Sequence, residues 1–194
     1  MKLNHSFKTL FLMGFIVSLC ATAIVGIWIF LFGTFGDLEG RLLFTTITIG
    51  AYSLTALCNS ALFGRQRVEL VGYLGIAISI AGFLYTTLVI WDFFDIGYSW
   101  KGIFIFAFLA FSLAHTSLLM LVYLRNYLVM SVLSATICSI LIVAGMLIFL
   151  VVYEKDIPEV YFRVLGVFAI LDVFGTIMTP ILSKIRKVEI GRQY

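Results

Sequence analysis

Six times the chain runs for 20 residues or more with almost no charge. The runs fall at about 9–32, 42–63, 70–91, 102–124, 127–153 and 164–183, and the only Asp, Glu, Lys or Arg inside any of them is Asp172. Each is long enough to cross ~30 Å of hydrocarbon as a helix. Inside such a layer no water satisfies the peptide groups, and a helix closes its own hydrogen bonds. The expectation is an all-α, polytopic integral membrane protein with six transmembrane helices. The longest links hold 10 residues, too few for a soluble catalytic or ligand-binding domain. Residues 1–194 therefore read as one transmembrane domain. Composition agrees, with 62% hydrophobic and 12% charged residues, where a soluble domain carries about a quarter charged. With so little of the chain in water, a net charge of +3 gives no reason to expect nucleic acid. The expected partners are the lipid bilayer and other membrane helices, copies of the same chain included.

The first run begins as a signal peptide would. The basic segment MKLNHSFK precedes FLMGFIVSLCATA, and Ala21-Thr22-Ala23 resembles a cleavage site. The apolar run continues to Phe32, well past the 7–15 residues of a signal core. An uncleaved first spanning helix is the expectation. Orientation follows from the basic residues. With the N-terminus cytoplasmic, the inner segments hold Lys2, Lys8, Arg65, Arg67, Arg125, Lys184, Arg186, Lys187 and Arg192. The outer ones hold only Arg41, Lys101, Lys155 and Arg163. A multi-pass protein with both termini in the cytoplasm is expected. Its outer rim would be acidic, through Asp37, Glu39, Asp92, Asp95, Glu154, Asp156 and Glu159. Aromatic residues gather at the same level, among them Trp28, Trp91, Phe93, Phe94, Tyr98, Trp100, Tyr153 and Tyr161, as headgroup-level belts do.

The second run contains AYSLTALCNSAL and the fourth AFSLAHTSLLML, offset by 59 residues with four identities in twelve positions. One reading is three repeated helical hairpins, 9–66, 69–125 and 127–187, related by an axis along the membrane normal. The other is that apolar helices resemble each other by composition.

The odd and even runs differ in their stripes. Gly14, Ser18, Thr22 and Gly26 recur every four residues in the first run, and Gly72, Gly75, Ser79 and Gly82 line the third. Ser131, Ser134, Cys138 and Gly145 form a looser set in the fifth. Small residues let spanning helices approach closely. The even runs carry polar stripes instead. Thr45, Thr48, Tyr52, Thr55 and Asn59 share one face of the second, and Ser112, His115 and Thr116 one face of the fourth. In the sixth, Ala169, Asp172, Thr176, Thr179 and Ser183 fall in a sector about 80° wide. If the three stripes converge, they make an intramembrane polar site of Asp172, His115, Asn59, Tyr52 and Thr176. Its two uses are interhelical hydrogen bonding and a proton or solute pathway. Asp172 lies nine residues after Arg163 and twelve before Lys184, about 13 and 18 Å along a helix. Its hydrogen-bond partner is therefore expected on a neighbouring carbonyl, Thr, Tyr or His. Pro180 removes a backbone donor one turn after Thr176.

Cys20, Cys58 and Cys138 lack metal or redox spacing and are expected to be packed. Two histidines, one of them His5, do not make a usual metal site, and no phosphate loop, HExxH or GxSxG occurs. No catalytic residue, cofactor or metal is expected, and no enzyme. The leading expectation is a non-enzymatic structural, accessory or scaffold subunit of a membrane. The alternative is a small transporter or channel with proton or ion coupling at Asp172 and His115.

Overall fold

The computed structural model of the protein describes residues 2–32, 36–65, 68–92, 99–122, 127–153 and 157–191. One helix dominates each stretch: α1 (Lys2–Phe32), α2 (Asp37–Ser60), α3 (Glu69–Ile90), α4 (Ser99–Met120), α5 (Tyr127–Val152) and α6 (Glu159–Gly191). No strand occurs among the described residues. Five of the helices, α2 to α6, are long and apolar enough to cross a membrane. In α1 the apolar stretch whose residues are described in full, Leu12–Trp28, is shorter. Residues 33–35, 66–67, 93–98, 123–126, 154–156 and 192–194 lie outside the described residues, and with them the expectations for Arg67, Phe93, Phe94, Asp95, Tyr98, Arg125, Glu154, Lys155, Asp156 and Arg192.

Helix ends differ from the ends of the apolar runs. α1 starts at Lys2 and α6 continues to Gly191, beyond the expected 9 and 183. Lys, Arg and Glu are good helix formers, so the backbone ladder continues where the apolar composition stops. The turns have local causes. After α2 the chain reverses through Gly64 at φ 87°, a left-handed conformation that costs glycine little. Leu62, fully buried, anchors that turn. After α3, Asp92 takes φ 50°, where Asp is tolerated better than most residues. Pro158 precedes α6, where a missing N–H costs nothing, and its carbonyl accepts from Tyr161 N–H at 2.9 Å.

The chain forms two compact units, Met1–Ala114 and His115–Tyr194, and α4 contributes to both. In the first, α1 packs on α2 and α2 on α3. Small residues set the approach. A β-carbon on Gly50 would lie 2.7 Å from Ser18 Oγ, and one on Gly72 would lie 2.9 Å from the Asn59 carbonyl oxygen. Arg41 and Asp92 form an ion pair across one end of α2 and α3, and Trp91 Nε1 donates to Thr45 Oγ1 at 3.2 Å.

In the second unit α5 packs on α6. Ser139 Oγ donates to the Phe168 carbonyl at 2.8 Å, and Tyr161 Oη to the Met146 carbonyl at 2.6 Å. Leu119 of α4 joins Leu133 and Ile140 in a small apolar core. The buried face of α5 is Val129, Leu133, Thr136, Ser139, Ile140 and Ala144. Ser131, Ser134, Cys138 and Gly145 are exposed, so the small-residue seam expected there is on the wrong face. The reason is that α5 is apolar all round, and size alone does not choose a side. Cys20 and Cys138 are exposed too, contrary to the expected packing role; a thiol is apolar enough to sit on an outer helix face.

Candidate functional site

The five candidate residues divide between the units. Tyr52 and Asn59 belong to the first; His115, Asp172 and Thr176 belong to the second.

Tyr52 and Asn59 stand two turns apart on the polar stripe of α2, and α3 receives both. The Tyr52 ring lies against Gly82, where a β-carbon would sit 2.6 Å from ring carbon Cε1. Its hydroxyl is 3.4 Å from Thr86 Oγ1. One turn on, Thr55 Oγ1 is 3.0 Å from Ser79 Oγ. Asn59 is wholly buried. Its Nδ2 donates to the Thr55 carbonyl at 2.8 Å, and its amide fills the space that a β-carbon on Gly75 would take. The small seam of α3 is thus the set of hollows that seats the polar stripe of α2. Beside Tyr52 a groove of about 120 Å³ opens, lined mainly by Ile49, Ala56, Ile80 and Phe83 with Ser53 and Ser79.

In the second unit, His115, Thr176 and Asp172 form one chain of polar atoms. His115 Nε2 is 3.0 Å from Thr176 Oγ1. Thr176 Oγ1 is 3.4 Å from Asp172 Oδ1, one turn back on α6. The second link is longer than the roughly 2.5–3.0 Å usual for O–H···O, so the carboxyl is the looser partner. All three side chains are half-buried. The polar seam of α6 is its packed side: Gly175 and Thr179 are buried, while Ile170, Leu171, Val173, Phe174, Ile177 and Ile181 are exposed. Thr136 of α5 presses onto Gly175, and Thr179 Oγ1 donates to the Gly175 carbonyl at 2.7 Å.

Several contributors were not singled out from sequence as partners. Thr86, Thr136 and Ser139 are single hydroxyls in apolar surroundings, and no spacing rule says which partner helix each meets. Thr116 is buried at 4% exposure, and its hydroxyl has no hydrogen-bond partner among the described residues. Among the described residues no three His, Cys, Asp or Glu side chains group to hold a metal ion.

All-helical among the described residues, with five helices there long and apolar enough to cross a membrane, the chain has the build of an α-helical membrane protein. Compared with known proteins, the chain matches no protein-family model, no curated protein and no solved structure.

Proposed function

We propose that all six helices cross the bilayer, with both termini in the cytoplasm, and that the protein is a non-enzymatic structural, accessory or scaffold subunit of its membrane. The observation that carries this reading is how the deep polar groups are used. Asn59, Tyr52, Thr55 and Thr136 are all pressed into a neighbouring helix. Interhelical hydrogen bonds contribute about 0.6–2 kcal/mol each, so such a stripe fixes which helices pair. What remains uncovered is broad and apolar, as on α6, where Val167, Ile170, Leu171, Val173, Phe174 and Ile177 are exposed. Faces of that kind meet lipid and other membrane helices.

A second reading, a small transporter or channel coupled to protons or ions, is favoured by one observation, the linked His115, Thr176 and Asp172. Purified full-length protein in liposomes separates the two. The scaffold reading expects proton and monovalent-cation flux no faster than in empty liposomes. It also expects a photo-crosslinker at Ile170 or Phe174 to give a discrete protein adduct in the native membrane. Flux that the wild type supports and Asp172→Asn abolishes would replace the scaffold reading with transport.

A further inference from the structure

The groove of about 120 Å³ beside Tyr52 is walled by Ile49, Ser53 and Ala56 of α2 and by Ile80 and Phe83 of α3. A void beside apolar side chains forfeits their dispersion contacts, so in a bilayer such a groove takes up hydrocarbon. An apolar cavity of about 150 Å³ holds benzene, and this one has room for a short length of acyl chain. Depth identifies which length. Ile49 lies eight residues from Arg41 and Phe83 eight from Trp91, about 12 Å along each helix. The hydrocarbon of one leaflet is roughly 15 Å deep, half the thickness of the bilayer core. The groove therefore receives the far end of a chain whose headgroup lies at the level of Arg41. Leu42, Ile49, Ser53 and Ala56 fall within about 60° of one face of α2, and Leu42 is exposed. That face is an apolar track from the rim to the groove.

At the rim, Arg41 Nη2 meets Asp92 Oδ2. A guanidinium has five N–H donors and a carboxylate about four acceptor sites. The two side chains are 37% and 71% exposed, so each has capacity left over from the pair. Arg41 suits a phosphate and Asp92 an ammonium. A headgroup that is only anionic answers Arg41 alone, and Asp37 and Glu39 in the first turn of α2 repel it. We propose that α2 and α3 bind one phospholipid whose headgroup carries both a phosphate and a primary ammonium. The phosphate meets Arg41, the ammonium meets Asp92, and one acyl chain ends in the groove beside Tyr52. Between rim and groove, Trp91 Nε1 donates to Thr45 Oγ1 at 3.2 Å and keeps the two helices joined. Such a site requires α2 and α3 to cross the bilayer, as proposed above, and a scaffold and a transporter can each carry it.

The test uses full-length protein in nanodiscs of phosphatidylethanolamine and phosphatidylglycerol with identical chains. Native mass spectrometry counts the lipids that stay with the protein on release. One phosphatidylethanolamine is expected to be retained in preference to phosphatidylglycerol. Arg41→Gln and Asp92→Asn should each lower that preference about threefold, the scale of an exposed ionic contact. Asp92→Lys should turn the preference toward phosphatidylglycerol. A phosphatidylethanolamine with a diazirine near the end of one chain should label Ile49, Ile80 or Phe83, and Ala56→Phe should remove that label. Equal retention of the two lipids, a preference that Asp92→Lys leaves unchanged, or a chain label outside the groove each overturns the proposal. Where Asp92→Lys or Ala56→Phe does not fold, Asp92→Asn and the label on the wild type decide. A spin label at Leu84, exposed on α3, reports separately on the crossing, in a background without Cys20, Cys58 and Cys138. High oxygen access and low access to a water-soluble nickel complex there uphold the crossing even if the lipid result is negative. High nickel access removes the crossing, and the lipid site with it.

Discussion

Gly75 and Gly145 both sit inside apolar helices, and they differ in what lies over them. A β-carbon on Gly75 would collide with the Asn59 amide, whereas nothing lies within 4 Å of the corresponding position on Gly145. Asn59 is wholly buried and bonded to its own helix, so it has nowhere to retreat. Gly75→Ala should therefore destabilise the protein by about 1–3 kcal/mol, the range for overpacking. Gly145→Ala should be neutral or stabilise by up to ~1 kcal/mol, because alanine favours the helix. Thermal unfolding of the two variants in the same detergent checks the difference. Equal effects would mean that the α2–α3 contact is looser than described. In Gly75→Ala, shortening Asn59 to Ser should recover part of the loss, since the clash is with the amide itself.

At the scale of the helix, what was legible in the sequence depended on chemistry, not on hydropathy. The packed side of α6 could be read because Asp172, Thr176, Thr179 and Ser183 fall in one sector, and that sector is turned inward. The α3 seam could be read because Gly72, Gly75, Ser79 and Gly82 have no rival face. In α5 it could not: Val129, Leu133 and Ile140 pack inward while the smaller Ser131 and Ser134 face outward. Where lipid is as apolar as the protein, burial gives no preference for one side, and the partner's shape decides. Nor did the sequence show that α3 receives the α2 stripe, because a stripe does not name its partner. The charged contact at the end of the same two helices is a different case. Arg41 and Asp92 are 37% and 71% exposed, and exposed ion pairs contribute roughly 0–1 kcal/mol. Arg41→Gln should lower stability by less than Gly75→Ala does, by the same unfolding measurement. A larger loss would show that this pair, not the packed seam, holds α2 to α3.

For the whole molecule, the proposal is a chain threaded six times through the bilayer. A reporter fused after Tyr194 should be active in the cytoplasm, and one inserted between Asp92 and Lys101 should be active outside. The opposite pattern would reverse the topology and remove the acidic outer rim. The three-hairpin reading predicts that hairpins 9–66, 69–125 and 127–187 of an experimentally determined structure in lipid superpose with a common helix crossing. A third hairpin with an unrelated crossing would leave the likeness of the second and fourth helices as composition alone.

The central claim is that polar seams face neighbouring helices and apolar faces meet lipid. The most direct test is a spin-label scan of α6 in nanodiscs. Single cysteines are placed at each position from 167 to 182 in a background without Cys20, Cys58 and Cys138. Collision rates with oxygen and with a water-soluble nickel complex are then measured at each position. Oxygen access should oscillate with the 3.6-residue period of a helix. Maxima are expected at 170, 174, 177 and 181, and minima at 175, 176 and 179, with 172 below its neighbours 171 and 173. Nickel access should stay low throughout. A maximum of oxygen access at 172, 176 and 179, or nickel access concentrated there, would contradict the account.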